Sequence, residues 1–234
     1  MTAEAAQGGG GIGAALRQFM RMVKFEHTIF GLPFVLMGGA LAAGGMPPAR
    51  VLFWMVLAAV GARNFAMLLN RYADRDLDPD NPRTEDRVEF QGLLASERIW
   101  GVMAAFAGLF VFSAWMLNPL AFALSFAVLG VIVLYSYSKR FTSFTHIFLG
   151  LVLGAAPAGA WVAVRGELGW VPVFLFLGVA LWVAGFDMIY ACVDLDFDKS
   201  KNLFSFPRLL GLSGALIASA AAHVGTVVFL FLAG

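Results

Sequence analysis

The chain has 234 residues, of which 60% are hydrophobic and only 13% are charged, and its mean hydropathy is +0.81. A water-soluble fold cannot bury that much apolar surface. The composition therefore excludes a soluble globular enzyme and indicates a polytopic membrane protein. The net charge of +1 gives no reason to expect nucleic acid as a partner.

Seven apolar segments of roughly 20 residues follow one another along the chain, each long enough to cross a bilayer as a helix. They lie at 24–44, 50–72, 98–117, 119–138, 143–164, 170–193 and 209–233. Polar residues do not alternate with apolar ones in these segments, which argues against a β-barrel. We predict an all-α transmembrane bundle of about seven spans, with a flexible Gly/Ala-rich tail over 1–16 and one membrane domain over 17–234.

Basic residues are concentrated in the segments that would lie on one side of this bundle. Thirteen of the sixteen Lys and Arg residues lie before span 1 and after spans 2, 4 and 6, whereas the opposite side holds only Arg50 and Arg165. The positive-inside rule places the basic side in the cytoplasm, together with the N-terminus. The expected location is a bacterial-type inner (plasma) membrane.

Aspartates are concentrated at the predicted ends of spans 2 and 6. The two clusters contain Asn70, Asp74, Asp76 and Asp78, and Asp194, Asp196 and Asp198. Four spans separate the clusters, and an even number of crossings returns the chain to the same face, so both clusters can converge on one site. Carboxylates this dense at a membrane edge repel one another and need cations.

The spacing within the clusters favours some of these aspartates as ligands. If the helix of span 2 continues to Pro79, Asn70, Asp74 and Asp78 form one stripe at i, i+4 and i+8. Asp76 points away from this stripe.

The second cluster repeats the pattern at the end of span 6. Asp194 and Asp198 have the i, i+4 spacing, Asp187 and Tyr190 extend that face into the membrane, and Asp196 points away. Two facing stripes of oxygen ligands suit Mg²⁺, which binds carboxylates together with phosphate oxygens.

The first cluster has two other interpretations. In a calcium loop, Asp74, Asp76 and Asp78 would occupy the first, third and fifth positions, but Pro79 stands where the sharp turn needs glycine. The plainest alternative is a solvated acidic loop that its arginines balance. Two matched clusters on one side favour the magnesium site over both.

The basic residues near the clusters suggest an anionic partner. Arg63 lies within a membrane helix, where a charge is costly, so a functional role is expected. Lys139 and Arg140 close span 4 on the face of the clusters, where a diphosphate would need them, although such pairs also serve as cytoplasmic anchors.

The histidines and glycines give weaker indications. His27, near the start of span 1, could contact an organic substrate. His146 and His223 are predicted to be structural because neither has a metal-ligand partner at i+4. In span 5, glycines at three positions predict close helix packing, namely Gly150, Gly154 and Gly159.

These motifs resemble the UbiA superfamily of membrane prenyltransferases over about 20–225, nearly the whole chain. Asn70-x-x-x-Asp74-x-x-x-Asp78 matches the first family motif, Asp194-x-x-x-Asp198 matches the second, and the upstream arginine of the family matches Arg63. The resemblance is greatest to the 4-hydroxybenzoate polyprenyltransferase-like group. The run from Phe25 through His27 to Pro33 resembles the branch linked to menaquinone made through futalosine. The family bundle has nine helices, and the last two have no counterpart here.

The resemblance implies an enzyme that transfers a polyprenyl group from its diphosphate to an aromatic acid in quinone biosynthesis, either 4-hydroxybenzoate or a dihydroxynaphthoate. It implies Mg²⁺ as the cofactor, a polyprenyl diphosphate and an aromatic acceptor as substrates, and the lipid bilayer as surroundings. The implied metal ligands are Asp74, Asp78, Asp194 and Asp198, assisted by Asn70. The implied diphosphate ligands are Arg63, Lys139 and Arg140. Asp187 would orient the acceptor or accept a proton, and Phe65, Tyr135 and Tyr190 are the candidates for aromatic contact with an allyl cation.

Two alternatives to this enzyme remain. Acidic residues in membrane helices also occur in divalent-cation transporters, although a conduction path needs polar groups through the midplane and most spans here offer few. The other alternative is a shortened, inactive relative that binds lipid. The residues do not decide the acceptor, the prenyl chain length or the oligomeric state.

Overall fold

The computed structural model describes residues 25–84, 87 and 90–234, with the side chains of all of these except 25–30 and 93. The predicted tail over 1–16 and the first residues of the predicted membrane domain lie outside the described residues. The described part of the chain is helical and contains no strand. The predicted all-α fold is confirmed.

In the described part of the chain, seven long apolar helices occupy the predicted spans. They are α1 Phe25–Ala43, α2 Ala49–Ala73, α3 Arg98–Leu117, α4 Pro119–Ser138, α5 Thr145–Arg165, α6 Trp170–Ala191 and α7 Phe206–Ala233. Six of them, α2 to α7, are long and apolar enough to cross a membrane, and the described apolar part of α1 covers 31–43. Large side chains such as Phe231 (84% exposed) and Ile217 (71% exposed) project outward, as expected for helices surrounded by lipid.

Helices that follow one another in the chain mostly pack against each other, and α1 also packs against α5. One buried cluster, centred on Leu68, Ile99 and Ile132, joins α2, α3 and α4. A second cluster, containing Val35, Met55 and Ala160, joins α1, α2 and α5. The first cluster lies toward the end of the bundle where α2 terminates, whereas the second lies toward the opposite end, where α2 begins and α5 terminates.

Small residues set the closest helix contacts. A Cβ atom added to Gly150 would overlap the carbonyl oxygen of Ala180 on α6, and one added to Gly154 would lie 2.6 Å from the carbonyl oxygen of Phe176. The predicted packing role of these two glycines is confirmed, since only hydrogen fits there. The same prediction is wrong for Gly159, where an added Cβ would meet open space.

α2 does not continue to Pro79, which is the condition on which the single stripe of ligands depends. The helix ends at Ala73 with Asp74 as its C-cap, and Asp78–Asp80 form a single 3-10 turn that contains the proline. Proline disfavours the helical conformation of the residue before it, here Asp78, and its ring removes a backbone donor. Asn70, Asp74 and Asp78 are therefore not one helical stripe.

The second cluster also follows a break rather than the end of a continuous helix. α6 ends at Ala191, and Asp194 is the N-cap residue of a separate short helix, Leu195–Ser200. The backbone N–H of Asp198 donates to the carbonyl of Asp194 at 2.8 Å, so the i, i+4 spacing still spans one helical turn. The expectation that both aspartates lie on the end of α6 itself is thus wrong.

Candidate active site

Both aspartate clusters line one cavity of about 270 Å³ at the end of the bundle. The first cluster contributes Asn70, Asp74 and Asp78, and the second contributes Asp194 and Asp198. Asp187 and Tyr190 of α6, Tyr135 of α4 and Lys139 also line it. The structure thus brings together side chains from three helix ends, as helix counting predicts.

The loop after α2 folds back over this cavity. Asp78 accepts a backbone hydrogen bond from Thr84 Oγ1 at 3.1 Å through its carbonyl oxygen, and the side-chain oxygen of Asn81 accepts from the N–H of Arg83 at 2.9 Å. Asparagine at the start of such a turn fixes the next two residues by this bond. The loop therefore holds Arg83 and Arg87 at the cavity.

Arg83 joins the two clusters directly. Its Nε lies 3.0 Å from Oδ1 and its Nη2 lies 2.6 Å from Oδ2 of Asp194, a two-pronged pairing that suits the guanidinium plane. Asn81 Nδ2 also donates to Asp194 Oδ1, at 3.3 Å. The hydrogen bonds that Arg83 donates to Asp194 raise the pKa of Arg83.

Two further cations pair with carboxylates of the first cluster. Lys139 Nζ lies 2.7 Å from Asp74 Oδ2, and Arg87 Nη1 lies 2.9 Å from Asp78 Oδ1. Asp74 and Asp78 are both nearly buried, at 4% and 7% exposure. A buried carboxylate without a cationic partner would strongly destabilise the fold. Each of these ion pairs therefore stabilises the site when no metal is bound.

The carboxylates of the cavity nevertheless have capacity for a further cation. Burial raises the pKa of Asp74 despite the neighbouring Lys139, and burial also raises the pKa of Asp198. Asp74 Oδ1 is buried and has no hydrogen-bond partner among the described residues. A carboxylate oxygen left in this state favours a cation ligand.

A ready-made metal centre is not formed by the described side chains, because no three His, Cys, Asp or Glu groups among them are placed to hold an ion together. The donors at the cavity are carboxylates and an amide, with arginine and lysine beside them. This set suits Mg²⁺, which keeps water and binds phosphate oxygens alongside one or two carboxylates. Mg²⁺ therefore fits this chain as an ion that a phosphate ligand helps to hold.

Residues 31–234 match the model of the UbiA prenyltransferase family. The chain belongs to the UbiA prenyltransferase family. It is accordingly a membrane prenyltransferase, which confirms the resemblance found in the motifs and favours an enzyme over a cation transporter.

Curated relatives of this UbiA family member are named as 4-hydroxybenzoate octaprenyltransferases. The protein of Vibrio campbellii is 32% identical over 200 residues, which cover 86% of this chain and 70% of the relative. The protein of Shewanella loihica is 36% identical over 203 residues, which cover 84% of this chain and 70% of the relative.

Solved structures of UbiA homologues share the fold. The apo homologue from Aeropyrum pernix K1 is 40% identical, with a TM-score of 0.80 over 88% of this chain and 78% of that one. A homologue from Archaeoglobus fulgidus bound to DMAPP and Mg²⁺ is 22% identical, with a TM-score of 0.72 over 92% of this chain and 77% of that one. The second likeness shows the fold alone.

Not every residue predicted for the site reaches the cavity of this UbiA protein. Arg63 lies within α2, more than a helical turn below Asn70, and does not line the cavity. Arg140 does not line it either, since its guanidinium pairs with Asp76 at 2.7 Å and donates to the carbonyl of Ala73. The side chain of His27, in α1, lies outside the described residues.

Of the three aromatic candidates for the site, two line the cavity and one does not. Tyr135 and Tyr190 line the cavity, although Tyr190 is 64% exposed. Phe65 packs against the buried cluster of α2, α3 and α4 instead.

Three cavity residues were missed by the sequence reasoning. Arg83 and Arg87 are absent from the predicted site, although their i, i+4 spacing in the loop that follows the first aspartate cluster is a usable signal. His146 was interpreted as structural, yet its Nδ1 lies 2.7 Å from Oδ2 of Asp187. A search for partners on the same helix cannot find a pair that joins α5 to α6.

Proposed function

We propose that this chain transfers a polyprenyl group from an allylic diphosphate to the ring of an aromatic acid of the 4-hydroxybenzoate type, as a step of quinone biosynthesis. The observation that carries the proposal is the convergence of two aspartate motifs, Lys139, Arg83 and Arg87 on one cavity. The names of the curated relatives support 4-hydroxybenzoate as the acceptor.

The charges of the cavity support a diphosphate together with divalent ions. Four ionised motif carboxylates and the three cations Lys139, Arg83 and Arg87 sum to about −1. Two Mg²⁺ ions and a diphosphate of about −3 would bring the site close to neutrality. The Mg²⁺- and DMAPP-bound homologue from Archaeoglobus fulgidus supports this ligand class.

The proposed metal ligands are Asp74, Asp78, Asp194 and Asp198, with Asn70 assisting. Mg²⁺ bound there would stabilise the negative charge that develops on the leaving diphosphate. Arg83, Arg87 and Lys139 would bind diphosphate oxygens by charge-assisted hydrogen bonds. Arg63 and Arg140 are retained as proposed diphosphate ligands, although neither lines the cavity, and His27, whose side chain lies outside the described residues, is retained as a proposed acceptor contact.

The chain's own residues divide the remaining work. Tyr135 and Tyr190 offer ring faces to the allyl cation that forms when the C–O bond breaks. Asp187 is available to orient the acceptor or to take its proton. In this proposal the protein lies in a bacterial-type inner membrane with the cavity facing the cytoplasm, as the positive-inside rule predicts.

The test uses membranes that contain the full chain, incubated with Mg²⁺, a long allylic diphosphate and 4-hydroxybenzoate, with product detection by mass spectrometry. Prenylated 4-hydroxybenzoate that disappears when EDTA is added supports the proposal. Product with a dihydroxynaphthoate but not with 4-hydroxybenzoate overturns the acceptor assignment. Absence of any prenylated aromatic acid, with the protein present in the membrane, overturns the activity itself and supports an inactive relative.

A further inference from the structure

His146 is a buried histidine in the cavity wall that joins three helices. It lies in the first turn of α5 and is 3% exposed. Its Nδ1 lies 2.7 Å from Oδ2 of Asp187 on α6, and its Nε2 accepts from the backbone N–H of Phe206, the first residue of α7, at 3.4 Å. The imidazole and Phe206 rings also contact each other, with centroids 5.7 Å apart.

These two hydrogen bonds fix the tautomer of His146. Because the N–H of Phe206 donates to Nε2, that nitrogen carries no proton in the neutral ring, and the proton sits on Nδ1. Nδ1 then donates to Oδ2 of Asp187, which fixes the rotamer of that carboxylate.

Asp187 retains one oxygen for a bound molecule. The residue lines the cavity, and its side chain is 29% exposed. Only Oδ2 takes part in the bond to His146, and Oδ1 has no hydrogen-bond partner in the described part of the chain. Any ligand that reaches Asp187 from the cavity therefore meets Oδ1.

The other motif carboxylates are already assigned to cations. Asp74, Asp78 and Asp194 each pair with a lysine or an arginine, and Asp198 is a proposed metal ligand. Among the pairs described at the cavity, Asp187 is the carboxylate whose partner is a histidine rather than a lysine or an arginine. Asp187 lies on α6, seven residues before Asp194 in the chain. It is therefore separate from the second aspartate motif, which would hold the diphosphate.

Prenylation of an aromatic ring requires a base. The allylic C–O bond breaks and its electron pair leaves with the diphosphate, a π pair of the ring forms the new C–C bond, and the C–H electrons then restore the aromatic ring. The ring proton released in that last step must be accepted by a group in the cavity.

We propose that His146 is a positioning residue that holds Asp187 so that Oδ1 takes the proton from the prenylated ring. The inference rests on the proposed aromatic prenyl transfer and assigns the base within it. Water removes the proton from Asp187 after product release, so no further co-reactant is needed.

Two isosteric variants separate this role from a purely structural one. His146→Asn keeps an amide N–H near the position of Nδ1, and so keeps the donor to Asp187. His146→Gln places its amide near the position of Nε2, and so keeps a partner for Phe206 but loses the donor to Asp187. If His146 only anchors α7, the glutamine variant is the better replacement.

The experiment measures turnover of the purified full chain in lipid nanodiscs with Mg²⁺, an allylic diphosphate and 4-hydroxybenzoate. The acceptor is used with hydrogen or with deuterium at the ring carbon that is prenylated. For wild type we expect an isotope effect near unity, since ionisation limits the rate. We expect Asp187→Asn and His146→Ala to lower kcat by about tenfold or more and to show a primary isotope effect.

The expected pattern across the variants is specific. His146→Asn recovers turnover and loses the isotope effect, whereas His146→Gln does neither. The affinity of an unreactive diphosphate analogue stays within about twofold of wild type in all four variants, because the base does not contact the diphosphate.

Several outcomes overturn the inference. One is an Asp187→Asn variant that turns over without an isotope effect, a result that does not depend on how the histidine variants fold. Another is recovery by glutamine rather than asparagine. Wild type that forms no prenylated aromatic acid at all refutes the proposed function instead, so the two failures are distinguishable.

Discussion

Arg83 donates to both carboxylate oxygens of Asp194, and this pair joins two segments 111 residues apart in the chain. Arg83 belongs to the loop after α2, whereas Asp194 begins the short helix that follows α6. Arg83 is half exposed, and the Asp194 side chain is 16% exposed. The pair therefore lies at the solvent-exposed side of the cavity lining, where a phosphate can compete with Asp194 for the guanidinium.

Replacement of Asp194 should abolish transfer, while replacement of its neighbour Asp196 should not. Asp194→Asn removes a proposed metal ligand and the partner of Arg83, so we expect kcat/KM to fall by about 100-fold or more. Asp196 is exposed and does not line the cavity, so Asp196→Asn is the matched control. Initial rates of prenyl transfer, normalised to membrane-inserted protein, give the comparison. Equal rates for the two variants would contradict the second motif as a metal site.

Mg²⁺ and diphosphate should bind cooperatively. Arg83, Arg87 and Lys139 occupy the carboxylates that Mg²⁺ needs, and a diphosphate would draw these cations away. We expect Mg²⁺ to bind more tightly by at least about tenfold when an unreactive diphosphate analogue is present, and the analogue to gain the same factor from Mg²⁺. Isothermal titration calorimetry of the two ligands in both orders measures this coupling.

A variant of Arg87 tests the cause of that coupling. Arg87→Gln frees Asp78, so Mg²⁺ alone should bind about two- to fivefold more tightly, while the diphosphate analogue should bind more weakly. Arg98 is exposed and does not line the cavity, so Arg98→Gln serves as the control and should change neither affinity. If both affinities fall in Arg87→Gln, the exchange of partners is wrong.

The helices and their convergence could be predicted because they depend on local composition. A run of 20 apolar residues has few alternatives in a bilayer, and the parity of crossings fixes which ends share a side. Asn118 illustrates the local signals well: its side chain accepts from the N–H of Ala121 at 2.8 Å, and Pro119 begins α4.

The details of the site could not be predicted because they depend on contacts distant in sequence. α2 ends with Asp74 as its C-cap, although the spacing of Asn70, Asp74 and Asp78 suggested a helix that reaches Asp78. The chain instead turns through Pro79. Arg83 and His146 acquire their roles from Asp194 and Asp187, which lie on other elements. Periodicity within one helix carries no information on such partners.

The packing of α5 against α6 predicts opposite effects for two glycines of the same helix. Gly150→Ala would force the helices apart, since the added methyl overlaps the backbone of Ala180, and should destabilise the protein by about 1–3 kcal/mol. Gly159 is exposed with open space around it, so Gly159→Ala should be neutral or slightly stabilising through its higher helix propensity. Thermal unfolding in detergent measures both, and a lower Tm for Gly159→Ala than for Gly150→Ala would contradict the observed packing.

Two adjacent basic residues at the end of α4 should differ in their effect on diphosphate affinity. Lys139 lines the cavity beside Asp74, whereas Arg140 pairs with the half-exposed Asp76 and with the carbonyl of Ala73 outside the lining. A charge-assisted hydrogen bond to a phosphate contributes about 1.5–3 kcal/mol, so Lys139→Gln should weaken binding of the diphosphate analogue by about 10- to 100-fold. Arg140→Gln loses a largely exposed ion pair and should weaken it by no more than a few-fold. Both affinities are measured with Mg²⁺ present, and a greater loss in Arg140→Gln than in Lys139→Gln would show that Arg140 leaves Asp76 to bind the diphosphate.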